Sequence, residues 1–226
     1  MINLQERFEY FKRVTGEENK IIEIIKNNLP IEKYTSILEV GSNKGNISRA
    51  LQPNQNNITL LDVENFQMPD EIKYIKERWE KAIIKEKFEV IIASHVWGHF
   101  YHNKSTKKSF DKMINCLKSR GRLVLCYNIN EGFLNKIIKF TQKEVKDFQY
   151  DIFDESIINK ENKKIEFEIE VKSPSFKNLA EMIHVLMVMS EDSFNDYRAK
   201  IELFLEENLK KPRFIIKQRV MIIEKI

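Results

Sequence analysis

The chain has 226 residues and a mass of 27.0 kDa, a length that suits one large domain, or one domain with a small appendage. Because 42% of the residues are apolar and 32% are charged, it can build a sizeable core, which excludes a disordered chain, a collagen and a disulfide scaffold. The net charge of +4 is mildly basic, and the interspersed Lys and Glu give no argument for a nucleic-acid partner.

Strand and helix signals alternate along the first part of the chain. Thr15 and Glu18 match a capping box ahead of an apolar helix that Pro30 ends. Residues 88–93 are apolar enough for a strand buried on both faces, as central parallel strands are. The alternation predicts βαβ units and an α/β fold with a mostly parallel, doubly wound sheet. Further predicted elements are strands at 36–40, 58–62, 72–75 and 122–127 and helices at 46–51 and 107–117.

The last third of the chain changes its pattern. Residues 164–171 alternate apolar and charged side chains, as a half-buried strand does, and Pro174 ends this strand. Pro212 precedes a final predicted strand at 214–226. Two late strands separated by helices predict an antiparallel edge on the sheet. Helices are predicted at 133–148, 176–189 and 193–209.

The sequence contains no targeting or membrane signal that we recognise. The N-terminus carries charges where a signal peptide has an apolar stretch, and the longest apolar runs are far shorter than the roughly 18 residues of a membrane span. Cys116 and Cys126 lie outside any metal-ligand spacing and predict cytosolic thiols. We therefore expect a soluble, cytoplasmic protein with no membrane partner. The sequence does not predict its oligomeric state.

The most informative segment is 38–45, where a strand runs into a loop with two glycines and a helix follows. Gly41 and Gly45 would let backbone amides approach a ligand closely. Asp62 ends the next predicted strand, and an acidic group about 20 residues after such a loop can bind both hydroxyls of a ribose. The spacing predicts a nucleoside ligand at the carboxyl ends of the first two strands.

Two common nucleotide motifs do not match this loop. The fingerprint G-x-G-x-x-G fails because positions 43 and 46 are both Asn, and the P-loop fails because no G-K-[ST] follows. Residues 39–45 instead resemble the E-x-G-x-x-x-G motif of class I S-adenosylmethionine-dependent methyltransferases. The segments that resemble this family's later motifs, in the same order, are 60–62, 78–80, 88–96 and 121–125.

The resemblance implies a Rossmann-like sheet of seven strands in the order 3-2-1-4-5-7-6, with strand seven antiparallel. It also implies S-adenosylmethionine as cofactor and S-adenosylhomocysteine as product. We interpret the chain as a single methyltransferase domain. In this interpretation residues 1–30 form an N-terminal helical lid, residues 31–130 the cofactor-binding core, and residues 131–226 the substrate-side helices and the last two strands.

The resemblance places the cofactor contacts at the strand ends. Asp62 matches the ribose-binding acid, and Glu39, inside an apolar strand, needs either backbone donors of the glycine loop or the cofactor's amino end. Trp79 either stacks on adenine or closes the core, and Glu77, Arg78 and Glu80 compete for the adenine contact. The predicted cofactor-binding residues are Glu39, Gly41, Ser42, Asn43, Gly45, Asp62, Val63, Arg78, Trp79, Ser94, His95 and Val96.

Histidines supply the candidate catalytic groups. His99 and His95 are the first choices for a general base, because imidazole titrates near neutral pH. His95, His99 and His102 lack a nearby cysteine or carboxylate cluster, so no metal site is predicted. His184 lies in a stripe of Met and Ile that is typical of a core, although it could line a pocket. The predicted substrate-binding residues are Tyr10, Trp97, Asn128 and His184.

The predicted function is methyl transfer to an N or O nucleophile of a small molecule. Residues 94–97 read Ser-His-Val-Trp where nucleobase amino-methyltransferases have an Asn/Asp-Pro-Pro-aromatic element, and the sequence has no concentrated basic tail. The helices at 133–148 and 176–209 could enclose a small acceptor. The alternatives are an RNA or protein methyltransferase, and a non-catalytic nucleoside-binding protein on the same fold.

Overall fold

The computed structural model describes residues 4–33, 35–96, 100, 105–145, 153, 155–158, 162–187 and 191–225. Within these residues the chain forms seven strands, seven α-helices and two short 3-10 turns. The strands are β1 (Ile37–Val40), β2 (Ile58–Asp62), β3 (Lys73–Lys76), β4 (Phe88–Ser94), β5 (Leu117–Asn128), β6 (Asn162–Lys172) and β7 (Arg213–Glu224). The helices are α1 (Leu4–Thr15), α2 (Glu17–Asn28), α3 (Asn46–Leu51), α4 (Thr106–Cys116), α5 (Gly132–Glu144), α6 (Phe176–Met187) and α7 (Glu191–Asn208), and the 3-10 turns are Gln55–Asn57 and Glu155–Ile157.

The strands form one sheet in the order β3-β2-β1-β4-β5-β7-β6, which confirms the predicted fold. The pairs β1–β2, β1–β4, β2–β3 and β4–β5 are parallel. β7 runs antiparallel to β5, because the Ile129 amide donates to the Lys217 carbonyl while the Arg120 amide donates to the Lys225 carbonyl. Val40 lies opposite both Leu61 of β2 and Ala93 of β4, so the carboxyl ends of three strands share one edge. Doubly wound sheets bind their ligands at such an edge.

β5 is the one strand of the described chain that differs clearly from its prediction, since it begins at Leu117 rather than at residue 122. Gly121, which directly precedes the predicted strand, lies within β5. The register between β4 and β5 shifts between Phe88 and Val90, and Arg120 has a positive φ of 60°. Two steps along β4, from Phe88 to Val90, therefore oppose five along β5, from Leu117 to Arg122, so β5 contains an enlarged β-bulge of three extra residues that does not end the strand.

The described part of residues 1–30 contains two helices, α1 and α2. Gly16, with φ at 63°, separates α1 from α2. Thr15 is the last residue of α1, where its hydroxyl donates to the Phe11 carbonyl at 2.9 Å and accepts the Glu17 amide at 3.4 Å, and α2 begins at Glu17 rather than directly after Thr15. Whether this segment covers the site stays a prediction.

The chain divides into two compact units that differ from the predicted partition at residues 30 and 130. The first unit consists of Glu18–Tyr127, Phe153–Glu166 and Arg219–Ile226, and the second of Met1–Glu17, Asn128–Ile152 and Phe167–Gln218. The difference arises because α1 contacts α6 and therefore groups with the late helices rather than with α2.

Each unit has its own apolar core. In the first unit, alternate residues of the central strands, such as Leu38 and Leu125, are buried together with Met113 of α4. In the second unit, Ile183 of α6 and Phe194 of α7 are fully buried within the larger cluster of that unit. No helix in the described part of the chain has the length and apolar character needed to cross a bilayer.

Candidate functional site

The loop of residues 41–45 joins β1 to α3 through three left-handed backbone positions. Gly41, Asn43 and Gly45 have φ of 66°, 47° and 69°. A Cβ at Gly41 would lie 2.2 Å from Cγ1 of Val96, and one at Gly45 would lie 2.6 Å from Cδ1 of Leu60. Each glycine is therefore required for two reasons: a side chain there would strain the left-handed backbone, and it would collide with a neighbouring side chain.

Asp62 is buried at the end of β2 and is hydrogen-bonded directly to this loop. Its Oδ2 accepts the Asn43 amide at 2.8 Å and its Oδ1 accepts the Glu64 amide at 3.1 Å. An ionised carboxylate has about four lone-pair sites, so each oxygen can accept a further donor. The amides of Gly41 and Ser42 donate to the Leu61 carbonyl at 2.8 and 3.2 Å, which holds the loop against the end of β2.

Glu39 is buried in β1 and has a backbone donor as a partner. Its Oε2 accepts the Ser48 amide at 2.9 Å, in the first turn of α3. The sequence left two possibilities, the glycine loop or the amino end of the cofactor. The structure shows a donor just beyond the loop, and the contact fixes the start of α3 over β1.

Tyr74 of β3 is a member of the site that the sequence did not indicate. Its hydroxyl donates to the Glu64 carbonyl at 2.6 Å and so braces the segment that follows Asp62. Burial and the nearby charge of Asp62 raise the pKa of Tyr74 to about 12, so the hydroxyl keeps its proton at neutral pH. Val63, next to the carboxylate, exposes 52% of its surface and offers an apolar face beside Asp62.

Trp79 lies in the segment after β3, and the sequence left two roles open for it, stacking on adenine and closing the core. The indole is 2% exposed, its Nε1 donates to the Ser109 carbonyl at 3.2 Å, and Nζ of Lys112 lies 4.4 Å from the ring centroid. Lys112 also donates to the Ala82 carbonyl at 2.7 Å. This position favours a core residue over a ring that stacks on adenine, because stacking requires an exposed face.

Glu77 and Arg78 lie at the open side of the same segment. The Glu77 amide donates to the Asp62 carbonyl at 3.0 Å, so the backbone of this segment is attached to the end of β2. The Glu77 carboxylate accepts the Arg78 amide at 2.8 Å, and both side chains are exposed. Of the competing residues, Glu77 is the one whose backbone contacts the predicted ribose acid.

The end of β4 brings Ser94, His95 and Val96 together with the loop. Val96 is buried over Gly41, and half-buried Ser94 lies opposite Cys126 of β5. His95 has a positive φ of 54°, its amide donates to the Cys126 carbonyl at 2.9 Å, and its Nε2 lies 3.6 Å from the Cys126 Sγ. Cys126 was not predicted to belong to the site, since no motif of the sequence includes it.

Three of the predicted substrate-binding residues lie in the second unit. His184 is fully buried, with its ring stacked on Phe194 at 4.3 Å and its Nδ1 2.6 Å from the Arg7 guanidinium. These contacts favour a core role for His184. Tyr10 is half-buried, and Asn128 accepts a hydrogen bond from the side-chain amide of Gln218 at 2.9 Å. Trp97 and the catalytic candidate His99 lie outside the described residues.

The comparisons with known proteins agree with this architecture. A family model described as a methyltransferase domain matches residues 12–172, more than two thirds of the chain. Among curated proteins, no sequence matches this chain.

Solved structures share the fold at low sequence identity. The YcgJ protein from Bacillus subtilis has a TM-score of 0.64 and 11% identity, and the match covers 92% of this chain and 98% of that one. A putative methyltransferase from an antibiotic biosynthesis pathway of Anabaena variabilis has a TM-score of 0.61 and 15% identity, covering 91% and 96%. A phosphoethanolamine N-methyltransferase from Haemonchus contortus, in complex with phosphomonomethylethanolamine and S-adenosylhomocysteine, has a TM-score of 0.54 and 14% identity, covering 99% and 58%.

Proposed function

The chain belongs to the methyltransferase-domain family, and from that membership we propose that it methylates a nitrogen or oxygen nucleophile of a small molecule. It is an S-adenosylmethionine-dependent methyltransferase, with S-adenosylhomocysteine as the product. The acceptor class goes beyond family membership. The observation that carries the assignment of the site is the Asp62 carboxylate, held by the Asn43 amide against a loop of left-handed residues.

The residues at this site suit an adenosine. Asp62 is buried and keeps acceptor capacity on both oxygens, as the two adjacent hydroxyls of a ribose require. Gly41 and Gly45 present backbone rather than side chains, and Val63 offers an exposed apolar surface next to the carboxylate. When bound, S-adenosylmethionine supplies a methyl group on a positively charged sulfur, which is a good leaving group.

The work left to the protein is chiefly positioning. Holding two reactants in line can supply up to roughly 7–11 kcal/mol of the barrier, provided that water is excluded. We assign Asp62 to the ribose hydroxyls. Ser42 and Asn43 are assigned to the loop surface that faces the cofactor, since their amides already donate to the Leu61 carbonyl and to Asp62. Ser94 and Val96 are assigned to the same edge, since Ser94 ends β4 and Val96 packs over Gly41 of the loop. Arg78 is assigned to the outer, exposed side of the adenine site.

A general base is needed where the acceptor retains its proton. His95 supports this role because its neighbour Val96 contacts the glycine loop and its own backbone is fixed by Cys126. His99 stays the second candidate. For the acceptor we assign Tyr10, Trp97 and Asn128, and we set His184 aside because its ring is enclosed in a core.

A small acceptor is favoured by the sequence at the end of β4. Residues 94–97 lack the Pro-Pro element of nucleobase amino-methyltransferases, and the chain has no concentrated basic segment for a nucleic acid. The second unit contains four helices of the described chain, with a large apolar core of their own. These helices and their apolar side chains favour an enclosed acceptor site, which small ligands need.

The proposal is tested by calorimetry and by a labelled transfer assay. We expect the full-length protein to bind S-adenosylhomocysteine, and to move label from methyl-labelled S-adenosylmethionine into a pool of small amines and hydroxyl compounds. Total RNA and a mixed peptide pool are assayed in parallel, with Asp62→Ala as the control of reduced cofactor affinity. Label found mainly in RNA or peptide contradicts the small-molecule acceptor. Absence of cofactor binding at millimolar concentration contradicts the site itself.

A further inference from the structure

The Cys126 thiol lies against the imidazole of His95 at the carboxyl ends of two neighbouring strands. Sγ is 3.6 Å from Nε2, and the His95 amide donates to the Cys126 carbonyl at 2.9 Å. Cys126 is 1% exposed and its neighbour in the sheet is Ser94. We propose that Cys126 is a positioning residue, which orients His95 and sets its proton affinity for methyl transfer. This inference rests on the proposed function of the site.

The backbone at His95 shows that its position is imposed by contacts. A φ of 54° is unfavourable for a residue with a side chain, and such positions persist only where the surroundings fix them. Cys126 supplies two of the fixing contacts, because it binds the amide of His95 through its carbonyl and meets the ring through its thiol. The imidazole is thereby turned toward β5 just where β4 ends.

The thiol also distinguishes the two ring nitrogens. A histidine nitrogen that donates to a neighbour fixes the tautomer, and the other nitrogen then carries the lone pair. We assign Nε2–H as the donor to Sγ and Nδ1 as the base. In the transfer step the acceptor's lone pair forms the new bond to the methyl carbon. The sulfur–carbon bond breaks with its electron pair left on sulfur, and Nδ1 of His95 takes the proton of the acceptor.

If Cys126 only stabilised the fold, its replacement would affect cofactor binding rather than the titration of His95. Val96 follows His95 and packs over Gly41, so a general loosening of the β4 end would reach the glycine loop and weaken cofactor binding. A positioning role would change the titration of His95 while cofactor affinity is kept. These two outcomes can be measured separately.

The experiment uses the full-length protein with S-adenosylhomocysteine bound and isotope-labelled histidine. Only four histidines contribute signals to the NMR spectrum, and the His95→Gln variant identifies that of His95. The pH titration of this signal is compared between the parent, Cys126→Ala and Cys126→Ser. Cys116→Ser is the matched control, since it alters the other buried cysteine, which lies in α4.

We expect the midpoint of the His95 titration to fall by at least about 0.5 pH unit in Cys126→Ala, because the charged ring loses an acceptor. Cys126→Ser, which keeps an acceptor, should stay close to the parent, and so should Cys116→Ser. Affinity for S-adenosylhomocysteine should change less than about threefold in all three variants.

An unchanged midpoint in Cys126→Ala overturns the proposal, as does a loss of affinity larger than about threefold. If Cys126→Ala does not fold, Cys126→Val, which also lacks an acceptor, takes its place: a midpoint lowered by the same margin supports the proposal and an unchanged one overturns it. A parent that does not bind S-adenosylhomocysteine contradicts the proposed function instead.

Discussion

The backbone amide of Asn43 donates a hydrogen bond of 2.8 Å to Oδ2 of Asp62 and so ties the loop after β1 to the carboxylate that ends β2. The other oxygen of this carboxylate accepts the Glu64 amide. One side chain therefore orders both loops that border the predicted cofactor site. Its removal should affect the shape of the site as well as the contact with the ribose.

Replacing Asp62 by Ala should weaken the binding of S-adenosylhomocysteine by more than about tenfold, since loss of partners for polar groups costs about 1–3 kcal/mol. Asp62→Asn should fall between the parent and Asp62→Ala, because an amide keeps one acceptor oxygen but cannot accept from both loops. Calorimetric titration measures the affinities. Asp70→Asn, on an exposed carboxylate of the same segment, is the control and should match the parent. Equal affinities for Asp62→Ala and the parent would remove Asp62 from the site.

Gly41 is required for its backbone conformation and for the lack of space for a side chain, and a comparison with Gly16 separates these two requirements. Gly16 also has a positive φ, of 63°, but a Cβ there would meet nothing within 4 Å, whereas at Gly41 it would meet Val96. Gly16→Ala should therefore cost only the backbone strain, about 1–2 kcal/mol. Gly41→Ala should cost about 1–3 kcal/mol more in urea unfolding, because it also overpacks the loop.

The double variant Gly41→Ala/Val96→Ala tests whether that excess comes from the contact. The collision is removed while the backbone strain at residue 41 persists, so the double variant should cost less than the sum of the two single substitutions. If Gly41→Ala is no more destabilising than Gly16→Ala, the collision with Val96 has no energetic weight.

Much of this fold could be predicted because its signals are local. Apolar runs punctuated by glycine and proline mark the strands, and the spacing from Gly41 to Asp62 places a carboxylate where the second strand ends. The start of β5 was predicted five residues late, because a glycine that continues a strand through a bulge looks like a turn in the sequence. The bulge depends on the partner strand, where the register shifts after Phe88.

The parts of the site that escaped prediction depend on pairs far apart in the sequence. Cys126 meets His95 only because β5 lies beside β4 in one register, and Tyr74 reaches the segment after Asp62 only because β3 pairs with β2. For His184 the sequence left two roles open. Its surroundings include an arginine 177 positions away, which no local pattern could indicate.

His184 should behave as a core residue that satisfies a buried arginine. Arg7 is buried and donates to its Nδ1, so His184→Phe would keep the stacking on Phe194 but leave the guanidinium without that acceptor. We expect a loss of about 1–3 kcal/mol in urea unfolding, and a smaller loss in His184→Gln, which retains an acceptor. Affinity for S-adenosylhomocysteine should match the parent in both. A raised KM for the acceptor with unaltered stability would instead assign His184 to substrate binding.

The stability of the first unit in acid should depend on Glu155. Burial alone would raise the pKa of this carboxyl, but hydrogen bonds from Lys164 and Tyr127 outweigh it, and the pKa lies below its usual value. The charge of Arg219 acts in the same direction.

A depressed pKa in the folded state stabilises the fold above the unfolded value of about 4.3, and this contribution is lost as the pH falls through the folded pKa. Glu155→Gln should therefore be less stable than the parent at pH 7, and the difference should shrink as the pH is lowered from about 5 to 3. Urea unfolding across this range measures it, with Glu71→Gln, on an exposed carboxylate, as the control. A difference that stays constant with pH would mean that the network stabilises the fold through packing rather than through the ionised carboxylate.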